Sequence, residues 1–228
     1  MRFWLWFYKR YINMLNLPRI TAICYDGRPF DKDREEKYHK IIAYQNSKIK
    51  FNSIKMFLTY KFENSNVQSE IIDQCDINAY SHFCLRDLSK HFDTDYVLIF
   101  QDDGFAMNPD LWNDEFLKYD YVGAPWPDYL EWNGTKYRVG NGGFSLRSKR
   151  LCEFSKTLPI SGRAEDADLC VYQRDILNRT GLKVAPISIA RKFSVERSID
   201  DNHVYTKTFG FHGVYQHELQ EIFNLIAS

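Results

Sequence analysis

With 228 residues the chain is long enough to bury one sizeable core, and its length does not demand a second domain. The 30 basic residues balance the 30 acidic ones, which excludes the bulk positive field of a nucleic-acid or polyanion binder. The five cysteines, Cys24, Cys75, Cys84, Cys152 and Cys170, are odd in number and lack any Cys-x-x-Cys spacing, so buried free thiols in a reducing compartment are expected.

The first predicted element is an amphipathic helix over residues 1–17. Wound as a helix, it puts Phe3, Trp4, Phe7, Tyr11, Met14 and Leu15 on one broad face, with Lys9, Arg10 and Asn13 largely off it. Its apolar run, Phe3 to Tyr8, is far too short to span a bilayer. Two readings stay open. Residues 1–16 touch a membrane surface through aromatic rings and basic neighbours, or they dock on the chain's own domain.

From Arg19 the pattern alternates. "RITAICY" reads as a strand ended by the turn-rich "DGRPF", and "REEKYHKIIAYQNS" has helical spacing at Tyr38, Ile41, Ile42 and Gln45. "IKMFLTY" is a second strand, "NAYSHFCLRDLSKHF" a second helix and "DYVLIF" a third strand. Such alternation predicts an α/β fold with a mainly parallel sheet covered on both faces. In these sheets ligands gather at the carboxyl ends of the strands, where Asp26, Arg28, Asp102 and Asp103 fall.

After Gly104 the texture changes to Gly-, Pro-, Trp- and Tyr-rich sequence with little periodicity. "SGRAEDADLCVYQRDILNRTG" then reads as a long helix closed by Gly181. "LKVAPISIARKFSVE" is expected to supply another strand, followed by "FGFHGVY" and, over 216–228, a C-terminal helix.

Four motifs carry possible chemistry, each with a plainer reading. Asp102-Asp103 at a strand tip suits a divalent cation with open places for phosphate oxygens, or is a solvated turn. Asn141-Gly142-Gly143 lets a ligand approach the backbone closely, or is a tight turn. Glu165-Asp166 could contain a general base, or simply favours the positive end of a helix. His212 in "FGFHG" is a metal ligand or a bystander.

In their order, "ICYDGRP", "FQDDG", "VGNGGFSLRSK", "EDADLC" and "FGFHG" resemble the glycosyltransferases of the GT-A fold, over roughly residues 19 to 215. The likeness is to the bacterial and viral glycosyltransferase-like proteins and to the inverting β-1,4-galactosyltransferase type. It implies a Rossmann-like αβα sandwich with a mainly parallel mixed central sheet. One GT-A domain would span 18–215, with a nucleotide-binding half over about 18–105 and an acceptor half over about 106–215.

The resemblance implies metal ligation by Asp103 and His212 with Mn²⁺ or Mg²⁺ as cofactor. Asp166 matches the catalytic base, and Glu165 is expected to shape the acceptor side. Asp26, Arg28, Gln101, Asp102, Asn141, Gly142 and Gly143 match donor-binding positions. Gln101 stands where a strict DxD motif has its first Asp, so an amide replaces a carboxylate there.

The implied activity moves a hexose from a nucleotide sugar, UDP-linked, to a hydroxyl of a glycan or lipid-linked acceptor, with inversion. The expected setting is cytoplasmic, peripheral on the inner face of a membrane, with no nucleic-acid partner. Two alternatives stand beside it: a non-catalytic sugar- or nucleotide-binding domain of the same fold, and a sugar nucleotidyltransferase. The second would usually carry a richer glycine loop than "YDGRPF".

Overall fold

A computed structural model describes residues 14–227. The chain opens on strand β1 (Leu15–Asp26), in which Ile20 to Cys24 are all buried. A continuous buried run rather than in–out alternation belongs to a strand covered on both faces. Ile20, Ala22 and Cys24 join one apolar cluster while Ile23 joins another, as the two-residue period of a strand requires.

The predicted helix over 1–17 meets this strand. Residues 1–13 lie outside the described residues, and Leu15 to Leu17 are part of β1 rather than of a helix. Leu15, Asn16 and Leu17 pair in parallel with Ile49, Lys50 and Phe51, so the ladder claims them.

Helix α1 (Lys32–Lys48) starts at Asp31, whose carboxylate accepts the backbone N–H of Arg34. It buries Tyr38, Ile41, Ile42 and Gln45, the spacing of one helical face. Strand β2 (Ile49–Leu58) follows, then the short exposed edge strand β3 (Gln68–Ile71). Helix α2 (Ile77–His82) runs on through a π-helical turn at Phe83–Asp87 and a 3-10 turn at Leu88–His91 into strand β4 (Tyr96–Ile99).

Strand β5 (Tyr121–Val122) precedes a hairpin of β6 (Pro125–Trp132) and β7 (Thr135–Val139). Strand β8 (Ser145–Ser148) leads directly into α3 (Lys149–Ser155). The long helix expected after Arg163 is present in three pieces: α4 (Glu165–Ala167), a π-helical turn at Asp168–Tyr172, and α5 (Arg174–Arg179).

The strand expected within residues 182–196 is a correction. Residues Ile187–Phe193 form helix α6, Val184 makes a single parallel bridge to Tyr121, and Ser194–Val195 form the short strand β9. Its β-branched residues point to a strand. Yet Ile189, Ala190 and Phe193 are buried at helical spacing, with Pro186 just before the first turn. Strand β10 (Gly210–Phe211) pairs with β9, and α7 (Gln216–Ile226) closes the described chain.

The sheet is six-stranded and mixed, in the order β3-β2-β1-β4-β8-β5. Strands β3, β2, β1 and β4 run parallel, and β8 runs antiparallel to both its neighbours. Helices α1 and α7 pack their buried residues on one face, and α2 with Cys152 of α3 on the other. The expected α/β class and layered covering are therefore present. Among the described residues no helix is long and apolar enough to cross a membrane.

Strand order reverses between β1 and β4: from β1 the chain goes outward to β2 and β3, then returns to β4 on the other side. The loops leaving such neighbours diverge and open a crevice. Register sets what faces it. Ile23 pairs with Ile99, so Asp26 and Asp102 each stand three residues beyond the same rung. Ile99 in turn pairs with Ser145, so the antiparallel β8 delivers Asn141 to Phe144 to the same end of the sheet.

Candidate active site

The two strand-end carboxylates are reconciled by one guanidinium. Arg28 donates from Nε and Nη2 to the two oxygens of Asp26, at 2.8 and 2.7 Å, and from Nη2 to Oδ1 of Asp102 at 2.6 Å. Asp26 also accepts Tyr38 Oη at 2.9 Å and lies 3.1 Å from Nε of Arg34. Burial would push the Asp26 carboxyl up, but the bonds and charge of Arg28 outweigh it and hold it below the usual carboxylate range. Two arginines and two aspartates thus close a neutral cluster across the sheet's switch point.

Asp103 is placed differently from its neighbour. Its side chain is 41% exposed, against 10% for Asp102, and its Oδ1 lies 3.6 Å from Nε2 of His212. That same imidazole nitrogen is 3.0 Å from Oε1 of Gln101. The backbone pins this arrangement, because the N–H of Gly213 donates to the carbonyl of Asp103 and that of His212 to the carbonyl of Val195. Asp103, Gln101 and His212 therefore converge.

Glycines make the convergence sterically possible. A Cβ on Gly143 would stand 2.0 Å from Nε2 of His212, and one on Gly142 would stand 2.0 Å from Oε1 of Glu165. The dipeptide is thus a wall with the imidazole against one residue and the glutamate against the next. Asn141, just before it, has a positive φ of 64°, a conformation asparagine tolerates better than most residues.

Glu165 and Asp166 do not share a role. Glu165 is 2% exposed and accepts a 2.5 Å bond from Nη2 of Arg147, which is itself 1% exposed. This buried carboxylate is therefore tied to Arg147 through its Oε1. Asp166 is half-buried, accepts the N–H of Ala167, and takes a backbone hydrogen bond from Asn141. Burial first, and the charge of Glu165 second, push its carboxyl up to about 6. A carboxylate in that range is suited to take a proton near neutrality.

Three contributors were not expected from sequence. Arg34 and Tyr38 lie on one face of α1 at i, i+4 spacing, a cation and a hydroxyl aimed back at the strand end that precedes them. Arg147 sits in a strand whose four residues are all buried, a position that obliges a guanidinium to find a carboxylate. Of the five cysteines, four are buried, Cys75 is half-buried, and all five are free thiols.

Among the described residues no group of three or more His, Cys, Asp or Glu side chains is placed to hold a metal ion. The donors that do converge are one carboxylate, one imidazole and one amide oxygen. Oxygen and imidazole donors of this kind suit Mn²⁺ or Mg²⁺ by type.

No curated protein matches the chain. A solved structure described as that of a glycosyltransferase involved in the glycosylation of the major capsid of PBCV-1 matches with a TM-score of 0.42 and 11% identity, covering 89% of this chain and 98% of that one. The family described as "Protein of unknown function (DUF5672)" matches residues 61–212, a span that holds every site residue above except those from Asp26 to Tyr38. That span is more than half of the 228 residues, and the chain belongs to this family.

Proposed function

We propose that the protein is a metal-assisted glycosyltransferase that moves a hexose from a nucleoside-diphosphate sugar, UDP-linked, to a hydroxyl of a glycan or lipid-linked acceptor, with inversion at the anomeric carbon. The observation that carries this reading is the Gly142–Gly143 wall. It sets His212, with Asp103 beside it, and Glu165, with Asp166 next in the chain, against consecutive residues of one backbone segment. Donor chemistry and proton removal are thereby brought to one edge of the sheet.

In this reading Asp103, His212 and Gln101 would hold the ion. When bound, a divalent cation stabilises the negative charge that builds on a departing diphosphate. Arg28, half-exposed, keeps Asp26 and Asp102 from presenting an uncompensated anionic floor to that diphosphate. Asp166 takes the proton of the acceptor hydroxyl as its oxygen attacks, a transfer that a carboxylate near pKa 6 performs in its ionised form at pH 7. One displacement from the face opposite the leaving group inverts the centre.

Calorimetric titration with UDP, with and without Mn²⁺ or Mg²⁺, is the direct test, followed by a panel of nucleotide sugars. Asp103→Ala is expected to abolish the metal-dependent part of UDP binding while the protein stays folded. Equal UDP affinity with and without metal, in both proteins, would sink the proposal.

A second reading is favoured by the bond between His212 Nε2 and Gln101 Oε1 and by the buried His212 Nδ1, which has no hydrogen-bond partner. Metal-ligating imidazoles usually anchor their other nitrogen. On that reading the domain binds a sugar or nucleotide without turnover. Saturable sugar binding with no product from any donor would decide for it.

A further inference from the structure

Beneath the Gly142–Gly143 wall lies a guanidinium to which the reaction just described assigns no part. Arg147 projects from β8 into a wholly buried polar cluster. Its Nη2 donates to Oε1 of Glu165 at 2.5 Å and to the Gly142 carbonyl at 3.3 Å, and its Nε donates to Oγ of Ser145 at 2.9 Å. Its guanidinium lies 5.2 Å from the centroid of the Tyr121 ring.

The same peptide segment is held by several other donors. The Gly142 carbonyl also receives Ser145 Oγ at 3.1 Å and Tyr80 Oη at 3.5 Å. The Asn141 carbonyl receives Tyr121 Oη at 3.1 Å. Backbone in the left-handed region persists in a non-glycine residue when its surroundings over-determine it, and here they do.

Stability is a poor reason for a buried ion pair. Apolar residues of similar volume often serve as well or better. The pair here also leaves Nη1 of Arg147 buried without a partner, so its geometry is not optimised for cohesion. The contacts of Arg147 are with Ser145, the Tyr121 ring and the Gly142 carbonyl, and with Glu165, the carboxylate next to Asp166 in the chain.

We propose that Arg147 is a positioning residue for the transfer step: by holding Glu165 and the Gly142 carbonyl together, it fixes the direction in which Asp166 meets the acceptor hydroxyl. This rests on the function proposed above. The groups that face Asp166 are Glu165 beside it, Arg147 from β8, Tyr121 from β5, Cys170 from the following turn, and the backbone N–H groups of Asn141 and Ala167. Glu165 raises the Asp166 carboxyl and Arg147 lowers it, the glutamate more strongly.

Two full-length variants test this. Arg147→Lys keeps the charge but loses the planar fork. Arg147→Met combined with Glu165→Gln removes both charges together, so no lone buried ion remains. Each is read by the ¹³C NMR titration of the Asp166 carboxyl, which needs no turnover, and by kcat and donor KM.

In Arg147→Lys the Asp166 midpoint is expected to rise above that of the parent, because lysine compensates Glu165 less well. In the double variant it is expected to fall, because the stronger, raising charge is gone. Both should lower kcat by about tenfold or more with donor KM within about twofold, the signature of a misaimed group. Midpoints that stay at the parent value in folded variants overturn the proposal, as does failure of both variants to fold, which would make the role structural. If the parent turns over no nucleotide sugar, the proposed function fails on its own. The opposed midpoint shifts then still decide whether Arg147 and Glu165 govern Asp166.

Discussion

A Cβ atom on Gly143 would stand 2.0 Å from Nε2 of His212, well inside any tolerable contact. The imidazole rests on bare backbone and reaches Gln101 and Asp103 from there. Gly143→Ala must therefore displace the ring. Overpacking of this kind costs about 1–3 kcal/mol. The variant is expected to melt lower than the parent and to lose at least about tenfold in Mn²⁺-dependent UDP affinity, equivalent to about 1.4 kcal/mol. A variant that melts and binds like the parent would show that His212 does not depend on this wall.

Arg28 links two carboxylates 76 residues apart in sequence, Asp26 at the end of β1 and Asp102 just beyond β4. Removing it in Arg28→Ala leaves both without that donor, at a cost of about 1–3 kcal/mol, towards the lower end because Arg28 is itself half-exposed and screened. The pH dependence has a defined sign. Asp26 is held below its ordinary value when folded, so its contribution is complete above the unfolded value near about 4 and is lost as pH falls through the folded one. Urea midpoints from pH 7 down to pH 2 should show the gap between parent and variant shrinking below about pH 4. A gap that is constant across that range contradicts the assignment.

Asp166 has the opposite sign. Its carboxyl is raised to about 6 in the folded protein by burial and by Glu165. The folded state therefore binds the proton more tightly, and stability falls as pH rises from about 4 through about 6. Asp166→Asn removes that penalty and should unfold at higher denaturant than the parent at pH 7.5, by about 1–2 kcal/mol. The same substitution should cut transfer by about 10²- to 10⁴-fold with donor binding nearly intact. In the parent, transfer should rise with pH through the same region. Transfer that persists in Asp166→Asn moves the base elsewhere, with Asp168 the next carboxylate along.

We propose that the aromatic and basic residues at the amino terminus, Phe3, Trp4, Trp6 and Phe7 with Arg2, Lys9 and Arg10, give weak contact with an anionic membrane. Each basic residue near such a surface adds about 1 kcal/mol, and salt screens it. Because β1 begins at Leu15, the deletion should stop at residue 13. Removal of residues 1–13 is expected to abolish co-sedimentation with phosphatidylserine vesicles while near-ultraviolet circular dichroism is unchanged. A full-length chain that never sediments, or a deletion that unfolds, ends the membrane proposal.

What the sequence determined by itself was local. The buried run of β1, the spacing of Tyr38, Ile41, Ile42 and Gln45 on α1, and the halt of β4 before Gln101 are all written in side-chain period over a few neighbours. The α/β alternation followed, and with it the strand ends where Asp26, Asp102 and Asp103 stand. Local period failed at α6, where β-branched residues imitate a strand and the burial of Ile189, Ala190 and Phe193 at helical spacing settles a helix. Only the tertiary structure separated Asp102, tied to Arg28, from Asp103, open beside His212. Only it turned Glu165 inward to Arg147 and left Asp166 half-buried beside it. Those distinctions depend on which rung of β1 meets which rung of β4, and on β8 entering antiparallel. Strand order and register join residues 18 to 111 positions apart, and no pattern read along the chain encodes such a distance.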